Sequence, residues 1–306
     1  MKLATYRHRD ERHLGIVDSA NRCLYQATAC VPGGPDDIIE WIKRFGTESP
    51  SVSLRDAEPL PLNGVTLEAP IPHPGRNVIC VGKNYLAHAN EFSRSGFDRS
   101  DTSKSGDAPQ APIVFTKAPS SVIGPGQPIV YPTGVSEKVD YEAEVGVVIG
   151  RGGRGIRAAD AYRHVFGYVI INDVTARDLQ ASHRQWFIGK SIDSFCPMGP
   201  WLVTPDEIDP ENLNVRCWVN DELRQDANTR DLIFDVPTLI AVLSAGITLV
   251  PGDIIATGTP QGVGIGFDPP RFLKPGDRVR ITVDGLGELI NEVSSARANA
   301  DAAGQQ

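Results

Sequence analysis

The sequence predicts a strand-dominated α+β fold. From residue 78 onward, short apolar runs rich in β-branched and aromatic residues recur between Gly, Pro and Asp, which is typical of strands. Helical spacing is confined to a few segments and strands do not alternate regularly with helices, so a doubly wound parallel sheet is not expected. With 306 residues, the chain is long enough for such a domain and a second, smaller one.

The first 72 residues are predicted to form a small N-terminal domain. A hairpin-like start is followed by the break VPGGPDD and by DIIEWIKRFG, whose apolar spacing is helical. Asp37 is placed to cap this helix and Gly46 to end it. A proline-rich stretch leads into the main domain, residues 73–293, and residues 294–306 are predicted to be a flexible tail.

Eight strands and two helices are predicted in the main domain. Helices are expected after Thr175 and over residues 235–245, with Pro237 in the first turn. The polar stretch 91–110 has the length and composition of a lid or binding loop. The predicted strands are VICVG (78–82), PIVFTK (112–117), VDYEAEVGVVIG (139–150), VFGYVIIND (165–173), GPWLVT (199–204), LNVRCWVN (213–220), GDIIATG (252–258) and RVRITVDG (278–285).

The composition argues against several classes of protein. A net charge of −8 argues against nucleic acid or an anionic membrane as the main partner. The start of the chain lacks the apolar core of a signal peptide and no run approaches the roughly 18 apolar residues of a membrane span, so a cytoplasmic protein is expected. The cysteines are odd in number and lack metal-ligand spacing, which favours buried thiols at Cys23, Cys30, Cys80, Cys196 and Cys217.

The segment VDYEAEVGVVIG raises a question of charge. In a strand, its apolar residues share one face, and Asp140, Glu142 and Glu144 share the other. Carboxylates two residues apart on one face lie roughly 7 Å from each other, and they repel by about 2 kcal/mol at an effective dielectric constant of about 20. Either the strand is half-buried and water screens the acids at a solvated edge, or a hard divalent cation lies between them.

A third acid follows a second predicted strand, VFGYVIIND. Asp173 stands at the end of this strand, shortly before a predicted helix. Such an acid is commonly a helix cap. Together with Glu142 and Glu144, it would instead complete a three-carboxylate cation site.

The segment VGKNYLAHANE contains a second group of reactive side chains. If Asn84 caps a short helix, His88 and Glu91 lie three residues apart on one face of it, within reach of each other. A carboxylate beside an imidazole fixes its tautomer and raises its basicity, so the pair can deprotonate water. The alternative is a surface ion pair, which is common and weakly stabilising.

Two later segments place polar residues among apolar residues or glycines. In QWFIGKSID, Lys190 either extends to the surface or, near a metal, stabilises negative charge and donates a proton. The loop GDIIATGTPQGVGIG lacks the Gly-Lys-Ser/Thr of a P-loop. Its amides and Thr257 or Thr259 could hold a substrate carboxylate, and a plain tight loop is the alternative.

The order of these motifs resembles the fumarylacetoacetate hydrolase superfamily. GKNYLAHANE, KAPSSVIGPGQPI, DYEAEVGVVIG, FGYVIINDVTARDLQ, GKSIDSFCPMGPWLVT and LKPGDRVRITVDGLGELIN follow one another as in that family, over residues 78–293. The resemblance implies a mixed β-roll catalytic domain, usually homodimeric, that binds Mg²⁺ or Mn²⁺, with Ca²⁺ in their place in some crystals. The serine-rich insertion after Glu91 departs from the shortest members.

The resemblance also implies roles for individual residues. The matching positions are Glu142, Glu144 and Asp173 for the metal, His88 and Glu91 for the water-activating pair on a lid helix, Lys190 for the active-site lysine, and Arg177, Gln180 and Thr259 for contacts with the substrate or its water.

These roles predict a hydrolase that cleaves a C–C bond in a 2,4-dioxo acid of the acylpyruvate type. The keto-acid substrate chelates the metal, His88 and Glu91 activate water, and pyruvate enolate leaves with help from Lys190. An oxaloacetate decarboxylase and a dienol-acid isomerase would use the same enolate, so both remain open. A non-catalytic metal-binding protein on the same fold is the alternative of another class.

Overall fold

A computed structural model of the chain describes residues 1–55, 57–97 and 108–295. Residues 98–107 of the predicted lid stretch, and the predicted tail from residue 296 on, lie outside the described residues. The strands of the described residues are β1 (Lys2–His8), β2 (Glu11–Asp18), β3 (Cys23–Gln26), β4 (Leu60–Pro61), β5 (Thr66–Leu67), β6 (Val78–Gly82), β7 (Ile113–Lys117), β8 (Val122–Ile123), β9 (Ile129–Val130), β10 (Val139–Asp140), β11 (Ala143–Ile149), β12 (Val165–Asn172), β13 (Thr175–Ala176), β14 (Cys196–Val203), β15 (Asn214–Val219), β16 (Glu222–Asn228), β17 (Ile254–Ala256), β18 (Arg278–Val283) and β19 (Gly287–Ser294).

One large, mostly antiparallel sheet organises the described part of the chain. Its order is β4-β3-β2-β1-β14-β12-β11-β17-β6-β7, with β5 beside β1 and β8 beside β14. A second sheet has the order β16-β15-β18-β19-β9, and β10 pairs with β13. The strand-dominated α+β class is confirmed.

The N-terminal strands continue the large sheet. β1 pairs with β14, with Lys2 opposite Val203, so the sheet runs without a break from the first strands into the main domain. The boundary after residue 72 stays a prediction.

The helices flank the sheets. Asp37 caps one of them by accepting hydrogen bonds from two backbone N–H groups, and Gly46, with a φ of 57°, ends it, as predicted. Asp235 caps another, which has Pro237 in its first turn. None of the helices in the described ranges is long and apolar enough to cross a membrane. The helices are α1 (Ala27–Cys30), α2 (Ile38–Phe45), α3 (Leu86–Arg94), α4 (Arg177–Ser182), α5 (Phe187–Lys190) and α6 (Val236–Gly246).

The strands β11 and β12 lie at the centre of the large sheet and are buried along their whole length. Val145 and Val147 pack in one apolar cluster, and Val148, on the other face, packs in a second. The prediction of a half-buried strand is therefore wrong for this segment. Any charge that β11 carries is held inside the protein.

Candidate metal centre and active site

Three carboxylates meet where β11 and β12 lie side by side. Ala143 pairs with Asn172, and just beyond this pair the N–H of Asp173 donates to the carbonyl of Glu142 at 2.8 Å. One carboxylate oxygen from each of Glu142, Glu144 and Asp173 lies within 4.8 Å of the others. The register of the two strands thus brings together acids that are 29 to 31 residues apart in the sequence.

The two alternatives for these acids, a solvated strand edge and a helix cap, are wrong. Glu142, Glu144 and Asp173 are at most 4% exposed, so water does not screen them at an edge. Asp173 is not a helix cap either, because α4 begins after Ala176.

Asp140, the first acid of the segment, has a different role. Its carboxylate accepts hydrogen bonds from the N–H groups of Gly264 at 2.6 Å and Ile265 at 3.1 Å, and from Nε of Arg177 at 2.9 Å. Burial raises the pKa of Asp140, although Arg177 opposes this. Asp140 therefore fixes Arg177 and the glycine-rich loop, and it does not join the cluster.

Three buried cationic side chains surround the cluster. Nζ of Lys190 lies 2.7 Å from an oxygen of Glu142 and 2.7 Å from one of Asp173. Nζ of Lys117 lies 2.6 Å from the other oxygen of Asp173, and Nη2 of Arg177 lies 2.6 Å from Glu142. Burial alone would raise the pKa of Glu142, but Lys190 and Arg177 outweigh it and lower this pKa to about 2. Glu142 is therefore ionised at neutral pH.

Lys190 does not extend to the surface, because it is only 1% exposed. Burial lowers its pKa, but Asp173 and Glu142 outweigh this effect and raise it. The side chain is therefore a buried ammonium group at neutral pH, able to donate hydrogen bonds and unable to act as a base.

Glu144 differs from the other two acids. Among the described residues, the ion pairs of the cluster reach Glu142 and Asp173, whereas Glu144 accepts a hydrogen bond from the N–H of Gly258 at 2.9 Å. Burial, reinforced by Asp173 and Glu142, raises the pKa of Glu144 well above its ordinary value. An ionised Glu144 thus needs further positive charge nearby.

A hard divalent cation fits this donor set. Carboxylate oxygens are the ligands that Mg²⁺ and Mn²⁺ prefer, and a cation among them would supply the charge that Glu144 needs. With all seven charged groups around the cluster ionised, the net charge is −1, so a divalent cation would make the site positive and suited to an anionic substrate. These groups, within the described ranges, are Asp140, Glu142, Glu144, Asp173, Lys117, Arg177 and Lys190.

His88 and Glu91 form a largely buried pair on α3, which stands where the resemblance implies a lid helix and is given that name. Nδ1 of His88 lies 3.2 Å from Oε2 of Glu91, and the two side chains are 6% and 13% exposed, so the surface-pair alternative is wrong. Oε1 of Glu91 also accepts a hydrogen bond from the N–H of Gly262 at 3.0 Å. The glycine-rich loop thus holds the carboxylate that orients the imidazole.

Asn84 does not cap α3, contrary to the prediction. The residue before this helix is Tyr85, and its side chain makes no capping hydrogen bond. The Asn84 amide instead donates to the carbonyls of Phe234 and Thr257 at 3.0 and 2.8 Å. Asn84 therefore ties the start of the lid to two loops of the main domain.

The glycine-rich loop after β17 is shaped around protein carboxylates. Gly262 and Gly264 donate to Glu91 and Asp140 respectively. A Cβ at position 266 would clash with the carboxylate of Glu91, so Gly266 leaves the room that this group occupies. The loop joins the lid helix to the strand that carries the acids.

The structure brings the predicted substrate-binding residues to the cavity that Glu142 and Glu144 line. Arg177, Gln180 and Thr259 all line it. Nη1 of Arg177 donates to Gln180 at 3.0 Å, and the hydroxyl of Thr259 accepts from Gln225 at 2.8 Å. Thr257 is instead turned to a backbone carbonyl, to which its hydroxyl donates. Contact of these groups with a substrate stays a prediction.

The cavity is nearly filled. About 10 Å³ of free space remains, which holds about one water molecule. Phe92 of the lid helix packs edge-on against Trp186, which in turn packs against Phe115. A keto acid therefore does not fit in the cavity while these side chains are packed in this way.

Lys117 belongs to the site but is not among the residues that the sequence predicts for it. This residue ends β7, is fully buried and holds Asp173. The only signal was a lysine at the end of an otherwise apolar run, which is also common at the surface end of a strand.

The fold and the site together define a class of protein. Its members place acid–base side chains beside a cluster of carboxylates suited to a cation, in an enclosed cavity. The family model described as Fumarylacetoacetate (FAA) hydrolase C-terminal matches residues 77–294. The chain belongs to the fumarylacetoacetate hydrolase family, as the resemblance predicted. It is therefore a member of a family of enzymes.

Individual relatives agree with this assignment. Oxaloacetate tautomerase YisK of Bacillus subtilis (strain 168) is 49% identical over 257 residues, 84% of this chain and 80% of that protein. The solved structure of fumarylacetoacetate hydrolase from the psychrophilic Exiguobacterium antarcticum has a TM-score of 0.84 and 42% identity, covering 97% of this chain and 100% of that one. Maleylpyruvate hydrolase from Sphingobium sp. SYK-6, solved with manganese (II) ion and pyruvate, has a TM-score of 0.75 and 33% identity, with 97% and 100% covered.

Proposed function

We propose that the chain is a divalent-metal-dependent tautomerase that interconverts the enol and keto forms of an oxaloacetate-type 2-oxo acid. Glu142, Glu144 and Asp173 would hold Mg²⁺ or Mn²⁺. The observation that carries the proposal is that His88 and Lys190 line one cavity with Glu142 and Glu144, whose carboxylates cluster with that of Asp173. The 49% identity to an oxaloacetate tautomerase supports this reaction over others that use the same groups.

The bound cation would withdraw electrons from the 2-oxo group and so lower the pKa of the neighbouring C–H group. His88 is placed to move that proton. Glu91 can only accept from Nδ1 of His88, so Nδ1 carries the hydrogen and Nε2 is left as the base. Nε2 takes a proton from C3 of the keto form and returns it in the reverse direction, while Glu91 stabilises the imidazolium between the two steps.

Lys190 and Arg177 are placed to act on the oxygens of the substrate. The Lys190 ammonium donates a hydrogen bond to the C2 oxygen, where negative charge develops, and keeps its proton. The enol O–H proton and the proton held by the His88 imidazolium are exchanged with water. Arg177, held by Asp140 and Gln180, orients the C1 carboxylate.

Hydrolysis of a C–C bond in an acylpyruvate is the second candidate. The His88–Glu91 pair can also deprotonate water, and the structural similarity to a maleylpyruvate hydrolase favours this reaction. Oxaloacetate decarboxylation and dienol-acid isomerisation would also use the cluster. A non-catalytic metal-binding protein would have no use for His88, Glu91 and Lys190.

A substrate panel tests the proposal. The purified protein is given Mg²⁺ or Mn²⁺ and either enol-oxaloacetate or an acylpyruvate, and enol absorbance, pyruvate and carbon dioxide are followed. We expect fast loss of enol-oxaloacetate absorbance without release of pyruvate, silenced by a chelator and restored by the metal. Faster release of pyruvate from acylpyruvates would favour the hydrolase, and carbon dioxide from oxaloacetate would favour the decarboxylase. Rates equal to the uncatalysed ones throughout would exclude all three.

Replacement of the proposed base gives a first prediction. His88→Gln should lower kcat by about 10²- to 10⁴-fold, because the proton at C3 loses its acceptor. The affinity for Mn²⁺, measured by calorimetry, should stay within a few-fold, because His88 is not among the clustered acids. His73→Gln, which changes an exposed histidine, is the control. Near-normal turnover of His88→Gln would remove His88 from the mechanism.

Displacement of Glu91 gives a second prediction. Gly266→Ala should lower kcat by about 10²-fold, because the new Cβ takes the place of the Glu91 carboxylate and the imidazole loses its orientation. Gly75→Ala is the control, because a Cβ there meets nothing within 4 Å. If kcat of Gly266→Ala equals that of the control, the position of Glu91 does not matter for turnover.

A further inference from the structure

Gln225 of β16 carries a buried amide that has no part in the reaction described above. The residue is 0% exposed. Its Oε1 accepts from the N–H of Ala143 at 3.0 Å, and its Nε2 donates to the hydroxyl of Thr259 and to the carbonyl of Pro260, both at 2.8 Å. A backbone N–H can only donate and a carbonyl can only accept, so the partners assign both ends of the amide. Both hydrogens of the amide are used, and its orientation is fixed.

The amide of Gln225 links the second sheet to two parts of the site. Ala143 begins β11 and lies between Glu142 and Glu144 in the sequence. Thr259 belongs to the glycine-rich loop after β17. One buried side chain therefore holds the strand of the acids and the loop that lines the cavity in a fixed relation to each other.

The hydrogen bond from Gln225 also decides which way the hydroxyl of Thr259 can act. Thr259 is 3% exposed and lines the cavity. Its oxygen accepts from Gln225, and no group in the described ranges accepts its hydrogen. Thr257, in contrast, donates its own hydrogen to the carbonyl of Val145 at 2.9 Å. Of the two threonines that the sequence leaves open, Thr259 is the one with a hydrogen left for a ligand.

We propose that Gln225 is a positioning residue that fixes the Thr259 hydroxyl as a hydrogen-bond donor to an oxygen of the anionic substrate. This inference rests on the proposed function. A hydroxyl that is free to turn can present either its hydrogen or its lone pairs to the cavity, and lone pairs repel a carboxylate. Gln225 occupies the oxygen from behind, so the donor is oriented before the substrate binds.

An unreactive anion tests this role without any turnover. Oxalate offers Mn²⁺ two oxygens on adjacent carbons, as a 2-oxo acid does, and it cannot tautomerise. Its dissociation constant is measured by calorimetry at saturating Mn²⁺ on the wild type, Gln225→Met, Thr259→Val and the double variant. Methionine keeps the length of the side chain without the amide, and valine keeps the shape of threonine without the hydroxyl. Gln127→Met is the matched control, because this exposed glutamine also accepts from a backbone N–H, that of Gly124, but does not line the cavity.

The two single variants should not be additive. Thr259→Val should weaken oxalate binding by about 10- to 100-fold, the value of a hydrogen bond to a charged group. Gln225→Met should weaken it by about 10-fold when Thr259 is present and by less than about 2-fold in the Thr259→Val protein, because its effect passes through that hydroxyl. Gln127→Met should bind oxalate like the wild type.

A purely structural role of Gln225 predicts the same loss of oxalate affinity in both backgrounds, and that result would overturn the proposal. Unchanged binding in Gln225→Met or in Thr259→Val would overturn it as well. If the expected losses are found in a protein without tautomerase activity, the proposed reaction is wrong and the positioning role stands. If turnover is found but the losses are equal in both backgrounds, the reverse holds.

Thr259→Ser gives a second test that leaves Gln225 in place, for the case that Gln225→Met does not fold. Serine lacks the γ-methyl group that restricts the rotamer of threonine, so its hydroxyl keeps its direction only if the Gln225 amide holds it. We expect Thr259→Ser to bind oxalate within about 3-fold of the wild type. A loss as large as that of Thr259→Val would contradict the role of Gln225.

Discussion

Replacing Glu142 by alanine is expected to lower the free energy of unfolding by about 3–5 kcal/mol, even without any metal ion. Glu142 is buried and pairs with Lys190 at 2.7 Å and with Arg177 at 2.6 Å. Without it, both cations lose a partner that they cannot replace with water. The pKa of Glu142 is lowered to about 2 in the folded protein, which also means that its ionised carboxylate stabilises the folded state. Its stabilising contribution is present in full above pH 4.5 and is lost as the pH falls towards 2.

Denaturant unfolding at neutral pH, in the presence of a chelator, measures this effect. Glu137→Ala, which removes an exposed glutamate five residues earlier, should change the free energy of unfolding by less than about 0.5 kcal/mol. A similarly small change for Glu142→Ala would mean that Lys190 and Arg177 are not held by this carboxylate.

Glu144→Gln, unlike Glu142→Ala, is expected to keep or raise the free energy of unfolding of the metal-free protein. It should also lower turnover by on the order of 10³-fold. Burial and the neighbouring Asp173 and Glu142 raise the pKa of Glu144, so its ionised form is unfavourable in the metal-free protein. Glutamine keeps an acceptor for the N–H of Gly258 and carries no charge. The metal-free variant should therefore be at least as stable as the wild type, yet it loses a carboxylate needed for the cation.

The difference in stability between Glu144→Gln and the wild type depends on pH with a definite sign. Because the pKa of Glu144 is raised in the folded state, the unfolded chain releases this proton first as the pH rises above 4.5. The Glu144 contribution to the free energy of unfolding therefore falls with rising pH until the folded-state pKa is passed. In chelator, the melting temperature of Glu144→Gln relative to the wild type should rise from pH 5 to pH 8. A variant that is less stable than the wild type at every pH would show that Glu144 is already compensated without a cation.

Much of the fold was predictable because its signals are local. The β-branched runs predicted the central strands. Asp37 predicted the start of α2, and the helix predicted from Asp235 agrees with the start of α6. The dispersed cysteines are buried and free, as expected. The acids could be grouped because Glu142 and Glu144 share a strand face and Asp173 ends a neighbouring strand.

The remaining features depend on strand order and on what covers the sheet, which a local pattern does not contain. The acids at positions 140, 142 and 144 resemble a solvated face and so predict a half-buried strand, whereas buried Lys117, Arg177 and Lys190 balance their charge. Asn84 is a residue type that often caps helices, but its side chain instead forms tertiary hydrogen bonds with the carbonyls of Phe234 and Thr257.

Calorimetric titration of Mn²⁺ into the metal-free protein tests the three-carboxylate centre most directly. We expect one ion per chain, with binding lost in Glu144→Gln and kept in His88→Gln. Absence of binding to the wild type, or binding that survives the loss of Glu144, would contradict a cation held by Glu142, Glu144 and Asp173.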